Sequence, residues 1–238
     1  MAVPKSTLEP LAVRSTVQAA AEWLRDSIMR GDLKPGDRLV EHKLAAALGI
    51  GQPTLREALK ELELQGFVRK TPKKGTRVTK LTKDDFRDIL EVRMALESVA
   101  IERAAVRLDA DQLAALRACV DGMEVAAGRF DLAEFHRHDV EFHSVLWGAA
   151  DNDYLSLALE RTAFGLFAFV LLQRQPEAAS EFLSAVKQHR TILEGLESGK
   201  PETARRVFVD STLEFWNANH DLDASYPSDA LAGFAQQD

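Results

Sequence analysis

Apolar residues recur every three or four positions along most of this chain, a spacing typical of helices that each bury one face. Residues 44–68 predict two short helices joined by a tight turn and followed by a strand. Gly49 suits that turn because glycine adopts positive φ without strain, and Gly66 is placed to end the second helix. The apolar face of this second helix is formed by Leu55, Ala58, Leu59 and Leu62.

The other side of the second helix is polar. Gln52, Thr54, Arg56 and Lys60 lie off the apolar stripe, where a DNA backbone or base edge could meet them.

A basic hairpin is predicted directly after this helix pair. Residues 67–80 fit two strands, of which Phe67 and Val78 point inward. Pro72 and Gly75 mark the turn between them. The stretch has no acidic residue, and its six basic residues are Arg69, Lys70, Lys73, Lys74, Arg77 and Lys80. Helix, turn, helix and basic hairpin together predict a winged helix–turn–helix that binds DNA, although the same charges also suit a hairpin that is merely solvated.

The predicted fold is mainly α. A helix from about Ser15 to Arg30 and a short strand over residues 38–41 precede the helix pair, which completes a winged helix–turn–helix over 13–80. An all-helical bundle of about six helices is predicted over 81–220, and residues 221–238 are expected to form a flexible tail. The bundle helices start near Thr82, Asp109, Asp131, Asp153, Glu177 and Pro201.

Two details of the bundle are also predicted. Thr82 and Asp85 resemble a capping box that starts the first bundle helix. The inner face of that helix is expected to be formed by Ile89, Val92, Ala95, Leu96, Val99 and Ala100.

Charge is divided unevenly along the 238 residues. The whole chain carries a net charge of −7, but residues 1–80 contribute +6 and the remainder contributes −13. A basic module joined to an acidic one is therefore expected, with only the first supplying a field that attracts phosphate. The one cysteine, Cys119, excludes an intrachain disulfide and fits a reducing cytoplasm. The N-terminus lacks the apolar region of a signal peptide, and the apolar run 162–173 is too short to span a membrane.

Spaced motifs in the first third resemble the GntR superfamily of bacterial transcription regulators. In order they are G-x-L-x-P-G-x-x-L (31–39), L-A-x-x-L-G (44–49), R-E-A-L-x-x-L (56–62), G-F-V (66–68) and K-G-T-R-V (74–78). The helical part is similar to the effector domain of the FadR branch, the FCD domain. The matches there are Arg93 with Glu97, Asp139 with His143, Asn152, and His189 within H-R-x-I-L.

The resemblance implies a homodimer that binds a roughly palindromic operator and responds to a small carboxylate effector. By this analogy, the positions that meet DNA are His42, Gln52, Thr54, Arg56 and Lys74. Arg56 is the strongest of them, since a guanidinium can pair bidentately with guanine or clamp a phosphate. A surface ion pair with a neighbour such as Glu61 is the alternative for this arginine. Relatives commonly have Ser-Arg where this chain has Gly51-Gln52, which removes a helix cap and one basic contact.

A candidate effector site lies in the second half. Asp139 and His143 are four residues apart and share one helix face, so they could hold a divalent ion, and His189 lies on a later helix that could pack alongside. Relatives that bind metal have a further histidine, which falls at Ser211 here, and serine is a poor zinc ligand. The resulting site would hold Zn²⁺ or a similar ion with Asp139, His143 and His189, leaving positions open for an effector.

Simpler interpretations exist for each of these residues. Asp139 and His143 could form a plain hydrogen-bonded pair, and His189 could be an ordinary partly buried histidine. Arg93 is a plausible clamp for a carboxylate effector, but it could equally form an internal ion pair with Glu97 or Glu91. The remaining histidines of the helical part, His136, His138 and His220, are expected at the surface.

Three functions remain in competition. The leading hypothesis is a transcriptional regulator, most simply a repressor, although activation is equally allowed. In it, effector binding repacks the helical domain and moves the paired winged domains. A metal-dependent enzyme could use Asp139, His143 and His189 as a facial triad, but it would leave the DNA module unexplained and no general base or nucleophile is arranged nearby. A purely architectural DNA-binding protein would show no response to a small molecule.

Overall fold

Nine helices and one three-stranded sheet form the part of the chain that this computed structural model describes, residues 15–173 and 179–220. The first unit contains α1 (Thr16–Met29), β1 (Arg38–Leu39), α2 (Glu41–Leu48), α3 (Gln52–Leu64), β2 (Val68–Thr71) and β3 (Gly75–Val78). The second contains α4 (Lys83–Arg107), α5 (Ala110–Arg129), α6 (Leu132–Gly148), α7 (Asp153–Gln173), α8 (Ala179–Glu197) and α9 (Pro201–His220). The predicted mainly helical fold is confirmed. The predicted tail, 221–238, lies outside the described residues.

The first unit packs α1, α2 and α3 against a small antiparallel sheet in the order β1-β3-β2. Its core is apolar and includes Leu24, Ile28, Leu55, Leu62 and Phe67. The strand predicted over 38–41 is shorter in the structure, because Glu41 is already the first residue of α2. The predicted turn between α2 and α3 is confirmed, since Gly49 adopts φ 65°.

The hairpin follows the predicted pattern. Its strands pair in antiparallel register, with Val68 opposite Val78 and Lys70 opposite Thr76. Phe67 and Val78 are buried, whereas all six basic side chains of residues 67–80 are exposed. The hairpin therefore presents positive charge to solvent on an apolar support.

The long helix α4 begins at the predicted capping box. Thr82 Oγ1 accepts a hydrogen bond from the Asp85 amide, and the Thr82 amide donates to Asp85 Oδ2 at 2.7 Å. The predicted inner face of α4 was right only in part. Ala100 is buried, and Ile89, Leu96 and Val99 pack partly buried against the core, but Val92 is 46% exposed. The buried face also contains Phe86, Leu90, Met94 and Ile101. The reason is that Arg93 and Glu97 are buried, whereas periodicity treats charged residues as surface.

Helix α7 contains the apolar run noted in the sequence. Across residues 15–173 and 179–220, no helix combines the length and the apolar character that spanning a bilayer requires. The run is used in packing, since Ala163, Leu166 and Phe167 are buried in the core of the bundle.

The two units meet through the end of α3 and the helices α6 and α7. Gly66 adopts φ 81°, and a Cβ added there would overlap the backbone carbonyl of Phe164 in α7. The Phe67 ring meets the His136 ring edge-on, with centroids 4.8 Å apart, and Ala168 of α7 is buried in the core of the first unit. His136 is only 4% exposed, so its predicted surface position was wrong.

Acidification is expected to weaken this contact. Burial lowers the pKa of His136 from its ordinary 6.5 to about 4, so the ring is neutral in the folded protein and the unfolded chain binds the proton more tightly. The stability that the neutral His136 ring contributes to the folded protein is fully present above pH 6.5 and is lost as the pH falls towards 4. The expected loss in the free energy of unfolding is about 3 kcal/mol, measured by urea denaturation across this range. The variant His136→Phe should show a flatter profile, and superimposable profiles would contradict the assignment.

Candidate functional site

The exposed face of α3 and the hairpin form one candidate site. Gln52, Arg56 and Lys60 of α3 are exposed, and Thr54 is half-buried near the start of the helix. His42 of α2 and Lys74 of the hairpin turn are exposed as well. No side chain caps α3, because glycine precedes Gln52 at the N-cap. Its first turn therefore has free amide groups that a phosphate could accept from.

Arg56 is paired in this structure. Its Nε donates to Glu41 Oε2 of α2 at 2.7 Å. The ion-pair alternative named Glu61 as a partner, but Glu61 instead accepts a hydrogen bond from the Gln65 amide group. Lys60 pairs with Glu57 at 2.8 Å along α3. Both basic residues are exposed, so their partners can be exchanged for DNA at little cost.

A second candidate site is a buried cluster between α6 and α8. It brings together Asp139 and His143 of α6, which their spacing placed on one helix face, and His189 of α8, which was expected to pack alongside. Asp139 Oδ1 lies 2.9 Å from His189 Nε2 and 3.7 Å from His143 Nε2. The two Nε2 atoms are 3.3 Å apart. One potential ligand atom from each of the three residues thus points to a common centre.

The orientation of both imidazoles is fixed from behind. His143 Nδ1 donates to Glu97 Oε1 at 2.9 Å, and His189 Nδ1 donates to the carbonyl oxygen of Ala185 at 2.7 Å. Because a carboxylate and a carbonyl only accept, each Nδ1 carries hydrogen, and any ring that is neutral directs its Nε2 lone pair into the cluster. Two lone pairs at this distance repel unless a proton or a cation lies between them. The donor set therefore fits a divalent ion.

Glu97 is the functional residue that sequence reasoning did not place in the site. Its side chain is fully buried and accepts from Arg93 Nε at 2.6 Å, from His143 Nδ1, and from Trp147 Nε1 at 3.0 Å. The only sequence signal was its position four residues after Arg93. Arg93 forms the internal ion pair with Glu97, and its NH2 group also lies 3.4 Å from His143 Nε2.

The buried ionisable groups of this cluster set the protonation states of one another. Burial by itself would raise the pKa of Glu97, but Arg93 and His143 outweigh it and lower the pKa to about 2. Burial likewise opposes ionisation of Asp139, yet its hydrogen bond with His189 keeps the pKa of Asp139 well below its usual range. Burial lowers the pKa of His143 despite Glu97, so this ring remains neutral. Ionised Asp139 and neutral His143 are the forms that bind a metal ion.

The cluster forms one wall of a small cavity of about 30 Å³. Arg93 lines it, together with an aromatic wall that the sequence did not single out: Phe135, Phe167, Phe215 and Trp216. Ser211 does not line it, and its hydroxyl donates to the carbonyl oxygen of Phe208 on its own helix. The volume is about that of one water molecule, so the cavity as it stands accommodates an ion rather than an organic ligand.

Two protein families match this chain. Residues 16–78 match the family described as bacterial regulatory proteins, gntR family, and residues 88–210 match the FCD domain. A probable D-xylose utilization operon transcriptional repressor of Paenarthrobacter nicotinovorans is 30% identical over 208 residues, covering 85% of this chain and 89% of that protein. The gluconate operon transcriptional repressor of Bacillus subtilis (strain 168) is 28% identical over 192 residues, covering 79% and 78% of the two chains.

Solved structures with the same fold include E. coli McbR/YncC. It has a TM-score of 0.64 and 20% identity, covering 84% of this chain and 94% of that one. A putative transcriptional regulator GntR from Rhodococcus sp. RHA1 has a TM-score of 0.61 and 22% identity, covering 88% and 98%.

Proposed function

The chain belongs to the gntR family of bacterial regulatory proteins and contains an FCD domain, and we propose that it is a repressor whose affinity for its operator is controlled by a small carboxylate bound near a metal ion. Residues 13–80 are the proposed DNA-binding domain and 81–220 the effector-binding and dimerisation domain. The observation that supports DNA binding, the first part of this proposal, is the exposed basic hairpin beside the polar face of α3.

Relatives named as operon repressors support the sign of regulation. They also favour a regulator over the alternative of a metal-dependent enzyme. The purified protein should retain a small set of genomic fragments in a salt-sensitive manner, and a carboxylate metabolite should release them. Uniform retention of all fragments would indicate an architectural DNA-binding protein instead. We place the protein in the cytoplasm, where its DNA target lies.

The substitution Arg56→Ala is expected to weaken binding to the specific operator by about 1–3 kcal/mol. The reason is loss of a guanidinium that can leave Glu41 for a guanine edge or a phosphate. Fluorescence anisotropy with the isolated operator measures the change. Arg117→Ala, which removes an exposed arginine of α5 paired with Glu197, serves as the control and should leave DNA affinity unchanged. Equal operator affinity for Arg56→Ala and wild type would show that Arg56 does not contact the operator.

We assign the metal ion to Asp139, His143 and His189. A bound divalent ion would supply a positive centre with open positions for the oxygens of a carboxylate effector. Behind these ligands, Glu97 and the Ala185 carbonyl hold the two rings in the tautomer that binding requires. Arg93 lies at the same cavity and provides a second positive group that suits a carboxylate. Ser211 remains a candidate only if effector binding reshapes the cavity.

Zn²⁺ is expected to stabilise the protein through this cluster, and His143→Ala should abolish the effect. The measurement is best made in a Cys119→Ser background, which removes the only thiol. Any stabilisation by Zn²⁺ then comes from imidazole and carboxylate ligands. At a free ion concentration a hundredfold above the dissociation constant, the gain in folding free energy is about 2.7 kcal/mol. His42→Ala, which removes an exposed histidine, is the matched control. An undiminished thermal shift in the His143→Ala protein would rule out the site.

Effector binding must enlarge the cavity, because its volume of about 30 Å³ cannot take an organic molecule. The walls that would move are connected to the DNA-binding domain. Phe167 of α7 stacks on His143 with ring centroids 4.7 Å apart, and the next residue, Ala168, is buried in the core of the first unit. A displacement of α7 at the cluster therefore reaches the DNA-binding domain within one residue.

The proposed homodimer is supported by the uncovered side of α4. Val92 and Val106 are 46% and 60% exposed, and Val99 between them is only partly buried. The three lie at seven-residue intervals, which places them on one side of a helix. An apolar stripe of this kind suits packing against the same helix of a second copy, and two copies would present two α3 helices to the two halves of a palindrome.

A further inference from the structure

A second group of ligand-type side chains lies where α6 packs against α5. It consists of Cys119 of α5 and His138 and Glu141 of α6, whose potential ligand atoms all lie within 4.8 Å of one another. None of the three belongs to the Asp139–His143–His189 cluster, which projects from a different side of α6. From the sequence alone, Cys119 indicates only a reducing compartment and His138 is expected at the surface, but the His138 side chain is only 19% exposed.

The packing of α5 makes room for the His138 ring. A Cβ added at Gly122 would overlap that ring, so only glycine at this position allows such a close approach. His138 Nδ1 is buried without a hydrogen-bond partner and lies 3.9 Å from Glu141 Oε2. The other nitrogen, Nε2, lies 2.8 Å from Arg137 NH2 and 3.9 Å from Glu134 Oε2. One ring edge therefore faces Glu141, a member of the cluster, and the other faces the surface charges of Glu134 and Arg137.

The thiol supplies a soft ligand in a protected position. Cys119 is 3% exposed, and burial raises the pKa of its thiol to about 11, with the Glu141 charge adding to the effect. In the absence of a cation the sulfur therefore keeps its proton. A bound cation changes this balance, because it replaces the proton directly.

An ion can reach the cluster from solvent. An open cavity of about 310 Å³ lies beside His138, and three carboxylates line it: Asp121, Asp131 and Glu134. Two arginines compete with an incoming ion: Arg129, which also lines the cavity, and Arg137, which pairs with Glu134 at 2.8 Å and Glu141 at 3.2 Å. All three partners of these ion pairs are 52% exposed, so the pairs are weak and readily exchanged.

We propose that Cys119, His138 and Glu141 form a second metal site that binds a thiophilic divalent cation such as Zn²⁺. Binding forms a sulfur–metal bond, and the thiol proton is released to solvent. His138 ligates through Nδ1, so its ring hydrogen moves to Nε2 and faces Glu134 in place of the Arg137 guanidinium. One thiolate and one carboxylate neutralise the charge of the ion, and water completes a tetrahedral set.

Cobalt spectroscopy tests this site independently of the first one. Cys119 is the only cysteine of the chain, so any thiolate-to-cobalt charge-transfer band in the near ultraviolet reports on it alone. The full-length protein is stripped with a chelator and titrated anaerobically with Co²⁺. Equilibrium dialysis counts the ions bound per chain. The expected result is a saturable band that accompanies one ion per chain and persists in the His143→Ala variant.

Three variants define the outcome. Cys119→Ser should lose the band together with that one ion, and its unchanged circular dichroism would show that it folds. His138→Asn and Glu141→Gln keep the thiol and should each weaken the Co²⁺ affinity at this site by roughly 10-fold or more. Saturation of the wild type with no thiolate band would overturn the proposal. The proposal would also be overturned if the thiolate band appeared with unchanged Co²⁺ affinity in both His138→Asn and Glu141→Gln, because the thiol would then bind the ion without its proposed partners.

Discussion

Replacing Glu97 with alanine is expected to lower the free energy of unfolding by about 3–5 kcal/mol. The Arg93 and Glu97 side chains are 3% and 0% exposed, so the substitution leaves a buried guanidinium without its carboxylate. It also removes the acceptor for His143 Nδ1 and Trp147 Nε1. Urea denaturation monitored by tryptophan fluorescence and far-ultraviolet circular dichroism measures the change.

A matched control separates burial from the loss of an ion pair in general. Glu57→Ala removes a helix carboxylate whose partner Lys60 is three residues away, but both side chains are more than half exposed. Its cost should be about 0–1 kcal/mol. Glu97→Gln keeps the shape of the side chain without its charge, and it provides a measurable variant if the alanine protein does not fold. Comparable losses for Glu57→Ala and Glu97→Ala would show that the buried network contributes no more than a surface pair.

The second large effect is expected for Gly66→Ala, at about 2–5 kcal/mol. Alanine at φ 81° is strained by itself, and its Cβ would overlap the Phe164 carbonyl of α7. Because that contact joins the two units, α3 and the hairpin must shift away from α7. We therefore expect a loss of stability and, in addition, operator binding that responds less to the effector.

Gly31→Ala is the control for backbone strain. Gly31 has nearly the same φ, 80°, but nothing lies within 4 Å of an added Cβ. The difference between the two variants in denaturation experiments isolates the contact with α7. If both cost the same, the close approach of Gly66 to α7 makes no energetic contribution.

Short-range signals made the DNA-binding unit predictable. Positive-φ glycines, an apolar stripe and alternating strand residues are all local, so Gly49, Gly66 and the 67–80 hairpin follow from neighbouring residues alone. The spacing of Asp139 and His143 was equally local. The convergence of His189 on them required the packing of α8, and it followed from family resemblance rather than from periodicity.

Buried polar residues were the least predictable feature. A pattern that assigns charge to the surface misplaces Arg93, Glu97 and His136. Arg93 and Glu97 offset the cost of burial by pairing with each other and with His143, and His136 does so by remaining neutral. The inner face of α4 was partly misplaced for the same reason. Because Arg93 and Glu97 were taken as surface residues, the predicted face was turned away from them around the helix. The Cys119–His138–Glu141 group was likewise hidden, because its members come from two helices and the His138 ring lies where a Cβ at Gly122 would stand.

The 2.7 Å bond from Arg56 to Glu41 has a consequence for discrimination between DNA sequences. If Arg56 reads DNA as proposed, Glu41 stands in for the nucleic acid, and the free protein holds the proposed reading side chain already satisfied. A DNA sequence that offers Arg56 only a poorly placed acceptor gains little binding free energy, because the arginine must give up its bond to Glu41. A sequence that offers a well-placed bidentate acceptor displaces it. Because the pair is accessible to solvent, the threshold that it sets is about 0–1 kcal/mol, a modest bias against arbitrary DNA that barely weakens binding to the proposed operator.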